Sequence, residues 1–255
     1  MCTTLVLAGP PGHLLLLGNR DELRTRAPAI PPSSPTDEGP RALFPVDADA
    51  LGTWTGVNAY GLALSLLNNY QADAVHAPEL PILSRGILTR DLLDARDLDE
   101  VASRIQARPD LLTRVRPFVL TAAQAAPSAL ARAILVTWNG VELSSTIAEL
   151  PLLQISSGFD LVGVTASRSA EVETLHDTPW SGDLDDAHVR SAAFGSPGVQ
   201  SDAYTLFMSR DDARTVSHTL IAVTPDSAHL VYRGVPAGDA LASSTAHQLS
   251  MSRLR

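Results

Sequence analysis

The sequence opens Met1-Cys2-Thr3-Thr4, and Cys2 is its only cysteine in 255 residues. Excision of an initiator methionine requires a small second residue, and cysteine qualifies, so processing is expected to leave a thiol and a free α-amine on one residue. A free α-amine titrates near ~7.7–8.0 and a free thiol near ~8.5. The amine can therefore take the thiol proton directly or through one water, without a histidine. The chemistry on offer is acyl transfer through a thioester.

Further candidates follow in order. After the apolar run Leu14–Leu17 comes Gly18-Asn19-Arg20-Asp21-Glu22; then Gly52-Thr53-Trp54-Thr55-Gly56-Val57-Asn58-Ala59-Tyr60-Gly61-Leu62; then Leu67-Asn68-Asn69-Tyr70 and Ser84-Arg85-Gly86. A guanidinium at Arg20 beside the thiol would favour the thiolate, and a carboxylate at Asp21 would hold or orient the α-amine. Asn19, Glu22 and Asn58 read as structural, and Trp54 as core or pocket wall.

These five signals, in this order over residues 1–95, resemble the NRDE family, the transport-and-Golgi-organisation-2-like branch of the N-terminal-nucleophile hydrolases. The resemblance implies an α+β fold of four layers, αββα, with two stacked, mostly antiparallel sheets. It implies an amidohydrolase acting on a linear N-acyl amide, with Cys2 as nucleophile, Arg20 and Asp21 beside it, and Asn68 as oxyanion donor. Asn69 is the weaker alternative, because adjacent strand residues face opposite ways. Arg214, in a segment similar to the family's later Arg-Ser-Ser-Thr, is a weaker substrate-binding candidate with Trp54. The family's Ser-Asn pair after Gly-Leu finds no asparagine at Gly163-Val164-Thr165-Ala166-Ser167, which leaves two readings: Thr165 or Ser167 substitutes, or the activity is altered or lost. Members have also been connected with haem handling, so the second reading is a non-catalytic carrier of haem or a small hydrophobic ligand, with one cysteine or histidine as axial ligand.

Composition narrows the classes. The formal charge is −9 with charges dispersed, and all nineteen cationic residues are arginine. Dispersed acidity gives no nucleic-acid or membrane surface, and the absence of lysine excludes Schiff-base chemistry. The seven histidines show no ligand spacing, so no metal site is expected. No run reaches the roughly 18–20 apolar residues of a membrane span, and the N-terminus does not read as a signal peptide. The expected setting is cytoplasmic, the partner a small molecule, and the cofactor none outside the haem reading. At this length, with 45% hydrophobic residues, a single domain over 1–255 is expected.

The elements that must carry these residues follow from pattern. Thr3–Leu7 and His13–Gly18 read as a buried hairpin that returns Arg20 and Asp21 towards Cys2. The proline-rich stretch 24–51, with Arg26-Ala27-Pro28 where the family has Arg-Pro, reads as an irregular loop able to roof the pocket. Thr53–Asn58 and Leu62–Asn68 form a second hairpin, and Ser84–Leu93 and Leu98–Ala107 are helices, the latter capped by Asp97. Strands are expected at Phe118–Thr121, Ala133–Trp138, Val141–Ile147, Leu152–Ile155 and Leu161–Thr165, with Asn139-Gly140 as a hairpin turn. Ala170–His176 reads as a short helix, 178–202 mainly as polar loop, and Thr215–Val223 with His229–Arg233 as a closing hairpin.

Overall fold

Leu14, Leu15, Leu16 and Leu17 are all completely buried. Successive strand residues point to opposite faces, so such a run requires a sheet covered on both sides. The computed structural model, which describes residues 1–33, 41–76, 82–198, 201–235 and 246–253, provides that cover. Leu14 and Leu16 pack between two sheets, whereas Leu15 and Leu17 pack beneath helices.

The first sheet has six strands in the order β12-β11-β10-β2-β1-β9: β1 Cys2–Ala8, β2 Leu14–Leu23, β9 Leu152–Ser156, β10 Ala213–Val223, β11 Ser227–Gly234 and β12 Ala246–Ser252. The second has six in sequence order, β3 Ala42–Leu43, β4 Thr55–Asn58, β5 Leu62–Asn68, β6 Phe118–Gln124, β7 Arg132–Trp138 and β8 Leu143–Ala148. Every pairing is antiparallel. Helices α1 Tyr70–His76, α2 Arg85–Leu92, α3 Leu98–Gln106 and α4 Pro109–Leu112 follow β5, and α5 Leu161–Asp177 and α6 Leu184–Gly195 follow β9.

Three apolar seams hold these layers together. Leu88, Leu92, Val101 and Ile105 of α2 and α3 meet Leu64, Leu120 and Val136 of the second sheet. Val6, Leu16 and Ile221 meet Val57, Ala63 and Ala123 between the sheets. Val172, Ala187 and Phe194 of α5 and α6 meet Leu5, Leu17 and Leu220 on the far side of the first sheet. The order helix–sheet–sheet–helix is therefore the αββα architecture. Each fully buried leucine contributes about 1.5–3 kcal/mol.

Several elements differ from expectation. The second strand does not stop at Gly18 but runs to Leu23, because β1 and β10 flank the polar block and pair with it. Leu161–Thr165 is not a strand: Asp160 caps α5, accepting from the Gly163 amide at 3.1 Å, and the helix continues through Ala170–His176. The polar stretch 178–202 contains α6, capped by Asp183 and anchored by buried Ala187, Ser191 and Phe194 at helical spacing. Within the 24–51 loop lie β3 and a bridge between Ile30 and Val46; its residues 34–40, and 199–200 of the later stretch, lie outside the described residues. Among the described residues no helix is long and apolar enough to cross a membrane.

Candidate active site

Antiparallel register builds the site. Cys2 stands opposite Arg20 of β2 and Ser156 of β9, and Arg20 stands opposite Ser217 of β10. Ser217, Arg20, Cys2 and Ser156 thus form one row across four strands. The row lies on the face turned to the second sheet, since Thr4, two residues from Cys2, shares a 2.7 Å hydrogen bond with Ser65 of β5.

A cavity of about 180 Å³ opens beside the row, lined by Cys2, Arg20, Glu22, Trp54, Asn68 and Arg85 among others. The expected loop supplies part of its wall, through Arg26, Asp47 and Gly52. Gly52 is required by close approach: a Cβ there would lie 2.3 Å from the Gly86 carbonyl carbon. That contact lets the Thr53 amide donate to Gly86 at 2.9 Å, docking the start of α2 on the cavity and explaining two glycines of the sequence blocks.

Arg20 is tied down. Its guanidinium pairs with Asp47 at 2.5 Å and Glu22 at 3.5 Å and stacks 4.1 Å over Trp54. Asp47 also accepts from Arg26 at 2.8 Å and from the amides of Asp49 and Ala50. Burial alone would raise the Asp47 pKa; the two arginines overcome it and hold the carboxyl below its ordinary value.

Asn68 and Asn69 separate cleanly. Asn68 donates to the Tyr70 hydroxyl at 2.9 Å and lines the cavity. The Asn69 side chain instead accepts from the Ala72 amide at the start of α1. Trp54 is pocket wall and, with Tyr232 6.3 Å away, links the cavity to the inter-sheet core. Arg214 is buried, stands opposite Glu22 and donates to the Val235 carbonyl at 3.2 Å; it is not among the cavity-lining residues.

Asp21 differs from the expectation that its carboxylate holds the amine. It alternates to the other face of β2, where Thr215 donates to it at 2.7 Å and Arg168 pairs with it at 2.9 Å, both charged side chains fully buried. With Met1 in place, its main-chain carbonyl accepts from the terminal ammonium at 3.4 Å, and the Tyr70 hydroxyl does so at 3.3 Å. Asn19 shares that hidden face, donating to the Phe194 and Leu206 carbonyls and bonding His218 at 2.8 Å. His218 also bonds Ser191 at 2.7 Å, and its burial lowers its pKa to about 3. Ser191, His218 and Asn19 have the residue types of a catalytic relay, but they are sealed in the core.

The substitute for the family's second asparagine does not lie at 163–167. Thr165 is exposed on a separate groove and Ser167 is in α5. The residues set against the start of β1 are Ser156, opposite Cys2, whose buried hydroxyl has no partner among the described residues, and Ser157, which contacts the Met1 sulfur at 2.9 Å. The signal for them was present as a polar Ser-Ser-Gly after the β9 apolar run, but fixing it requires the strand register.

Burial pushes the Cys2 thiol above its ordinary pKa; the terminal ammonium pulls it down, Asp21 raises it, and the Asp21 backbone and Arg20 lower it, Arg20 least. The Tyr70 hydroxyl is raised chiefly by burial. Among the described residues no cluster of three ligating side chains is placed to hold a metal ion.

A family profile matches residues 1–169, the span that carries Cys2, Arg20 and the hairpins around the cavity. The chain belongs to the Transport and Golgi organisation 2 family. Its fold is that of the N-terminal-nucleophile hydrolases. The Caenorhabditis elegans N-acylethanolamine-hydrolyzing acid amidase ortholog is similar at a TM-score of 0.54 and 14% identity, covering 97% of this chain and 100% of that one. The C2A mutant of conjugated bile acid hydrolase from Clostridium perfringens is similar at 0.49 and 12% identity, covering 98% and 96%. No curated protein matches in sequence. For this member of the family, the scaffold is hydrolase-like.

Proposed function

We propose that the chain is an N-terminal cysteine amidohydrolase acting on a linear N-acyl amide. The observation that carries this reading is Cys2, with Arg20 opposite it, on a cavity that also holds Asn68. After removal of Met1, the Cys2 α-amine takes the thiol proton as sulfur attacks the carbonyl carbon. Asn68, oriented by Tyr70, donates to the developing oxyanion; one such donor is worth about 2.7–4 kcal/mol. The amine returns its proton to the leaving nitrogen as the C–N bond breaks, and water then cleaves the thioester to the free acid. Arg20, fixed by Asp47 and Trp54, positions the nucleophile's strand and cavity wall, and Asp21 holds β2 to α5 from behind. Small acyl amides should be turned over by the processed chain, with a transient acyl mass on the N-terminal peptide. Cys2→Ala should remove both while the melting temperature stays within about 3 °C, a shift worth less than roughly 1 kcal/mol. Undiminished turnover in that variant would eliminate the mechanism.

The carrier reading has a different address. The Cys2 cavity, about 180 Å³ and lined by four arginines, does not suit a haem; ligand pockets of that kind run to roughly 300–1,000 Å³ with apolar walls. A groove of about 830 Å³ between β9 and α5, walled by Leu153, Ile155 and Val172, contains His176. Asp177 engages its Nδ1 at 2.8 Å, leaving Nε2 for a ligand. Haemin titration should then give a Soret shift that His176→Ala abolishes; no spectral change would reject a haem carrier.

A further inference from the structure

Four arginines line the cavity beside Cys2, and three of them are matched by acids. Arg20 has Asp47 and Glu22, Arg26 has Asp47 at 2.8 Å, and Arg116 has Asp73 at 2.9 Å. Arg85 is the exception: among the described residues no carboxylate comes within 4.0 Å of it. Among the described residues its guanidinium makes one hydrogen bond, from Nη1 to the Pro117 carbonyl at 2.8 Å. A guanidinium carries five N–H donors in a planar fork suited to a carboxylate, so most of this fork is uncommitted. Burial pushes Arg85 below its ordinary pKa; Asp73 and Tyr70 offset part of this, and Arg116 lowers it further.

The rest of the cavity sets the scale. Charges at the Arg20–Arg26 end are compensated by Asp47 and Glu22, whereas the Arg85–Arg116 end holds two cations against Asp73. Leu66, Ile82 and Leu83 add apolar lining to the cavity. Arg85 is preorganised: it is the first residue of α2, which Ser84 caps and the Gly52–Gly86 contact fixes. We propose that Arg85 receives an anionic group of the substrate, so that the site selects small N-acyl amides bearing a carboxylate, N-acyl amino acids being the simplest. This rests on the hydrolase reading above and names its substrate class.

The test uses the processed full chain and a matched pair, N-butyrylglycine and N-butyrylglycinamide, which differ in charge and little in size. The carboxylate should be favoured by about 10- to 100-fold in kcat/KM, mostly through KM, as expected for a charge-assisted hydrogen bond. Arg85→Gln should bring the ratio near one, and Arg85→Lys should keep part of it. Equal rates on the pair in the unaltered protein, or a preference that survives Arg85→Gln, would overturn the proposal. The first of these outcomes does not depend on the variant folding. Calorimetric binding of the same pair to Cys2→Ala separates the two claims. Tighter binding of the acid without turnover by the unaltered protein would retain the anion site and reject the hydrolase; turnover without preference would do the reverse. Neither binding nor turnover at millimolar concentration would reject both.

Discussion

The two faces of the β1–β2 hairpin use adjacent residues of one sequence block for opposite ends. Towards the second sheet, Arg20 and Glu22 join Cys2 around an open cavity at whose edge Glu22 and Arg26 are partly exposed. Towards α5 and α6, Asn19 and Asp21 join Thr3, Arg168, Thr215 and His218 in a dry polar network. The strand period of two makes this division. A motif written as four consecutive polar residues is therefore divided between the cavity and the buried network, and under the proposed function loss of either half should act by a different route.

The dry face should show the larger stability effects. Arg168→Met leaves the Asp21 carboxylate buried without its cation, and urea unfolding should record a loss of about 3–5 kcal/mol. Adding Asp21→Asn should recover part of it, and a change below roughly 1 kcal/mol would show that the pair is not dry. His218 tests the same face through pH. Its folded pKa lies below the unfolded value, so its contribution is intact above about 6.5 and is lost as pH falls towards about 3. That loss is on the order of 4 kcal/mol, and a His218→Gln variant should have a flatter stability profile over this window.

The wet face should answer in rate instead. Asn68→Ala should lower kcat about 10²–10³-fold, with little change in melting, if it serves the oxyanion. Glu22→Gln should cost under about 1 kcal/mol in stability, because its ion pair at 3.5 Å is partly solvated. An effect there as large as that of Arg168→Met would erase the distinction between the faces.

Much of this was readable from residue pattern. Leu14–Leu17 announced a buried strand, Asp97 and the apolar spacing of 84–93 announced their helices, and Asn139-Gly140 its turn, with Gly140 at φ 94°. The return of Arg20 towards Cys2 followed from antiparallel pairing in the first hairpin, although the register that sets the two opposite one another did not. What was hidden depended on long-range partners. Only pairing with β10 extends β2 through Glu22 and so turns Asp21 away from the thiol. Val162, Val164 and Thr165 carry β-propensity, but the Asp160 cap and the packing of Val164, Arg168 and Val172 make their segment a helix. Asp47 belongs to a segment with no period of its own and Ser156 lies just past the expected strand Leu152–Ile155, and they join Arg20 and Cys2 only through the folded chain.

The most direct measurement is the pH dependence of alkylation at the lone thiol, in the processed chain and in a form that keeps Met1 through an N-terminal extension. Burial raises the thiol in the chain that bears Met1, whereas processing places the amine on Cys2 itself. The account predicts a midpoint below ~8.5 for the processed chain and a higher one for the extended form. Coincident midpoints at or above that value would contradict the claim that Cys2 is activated by its own α-amine.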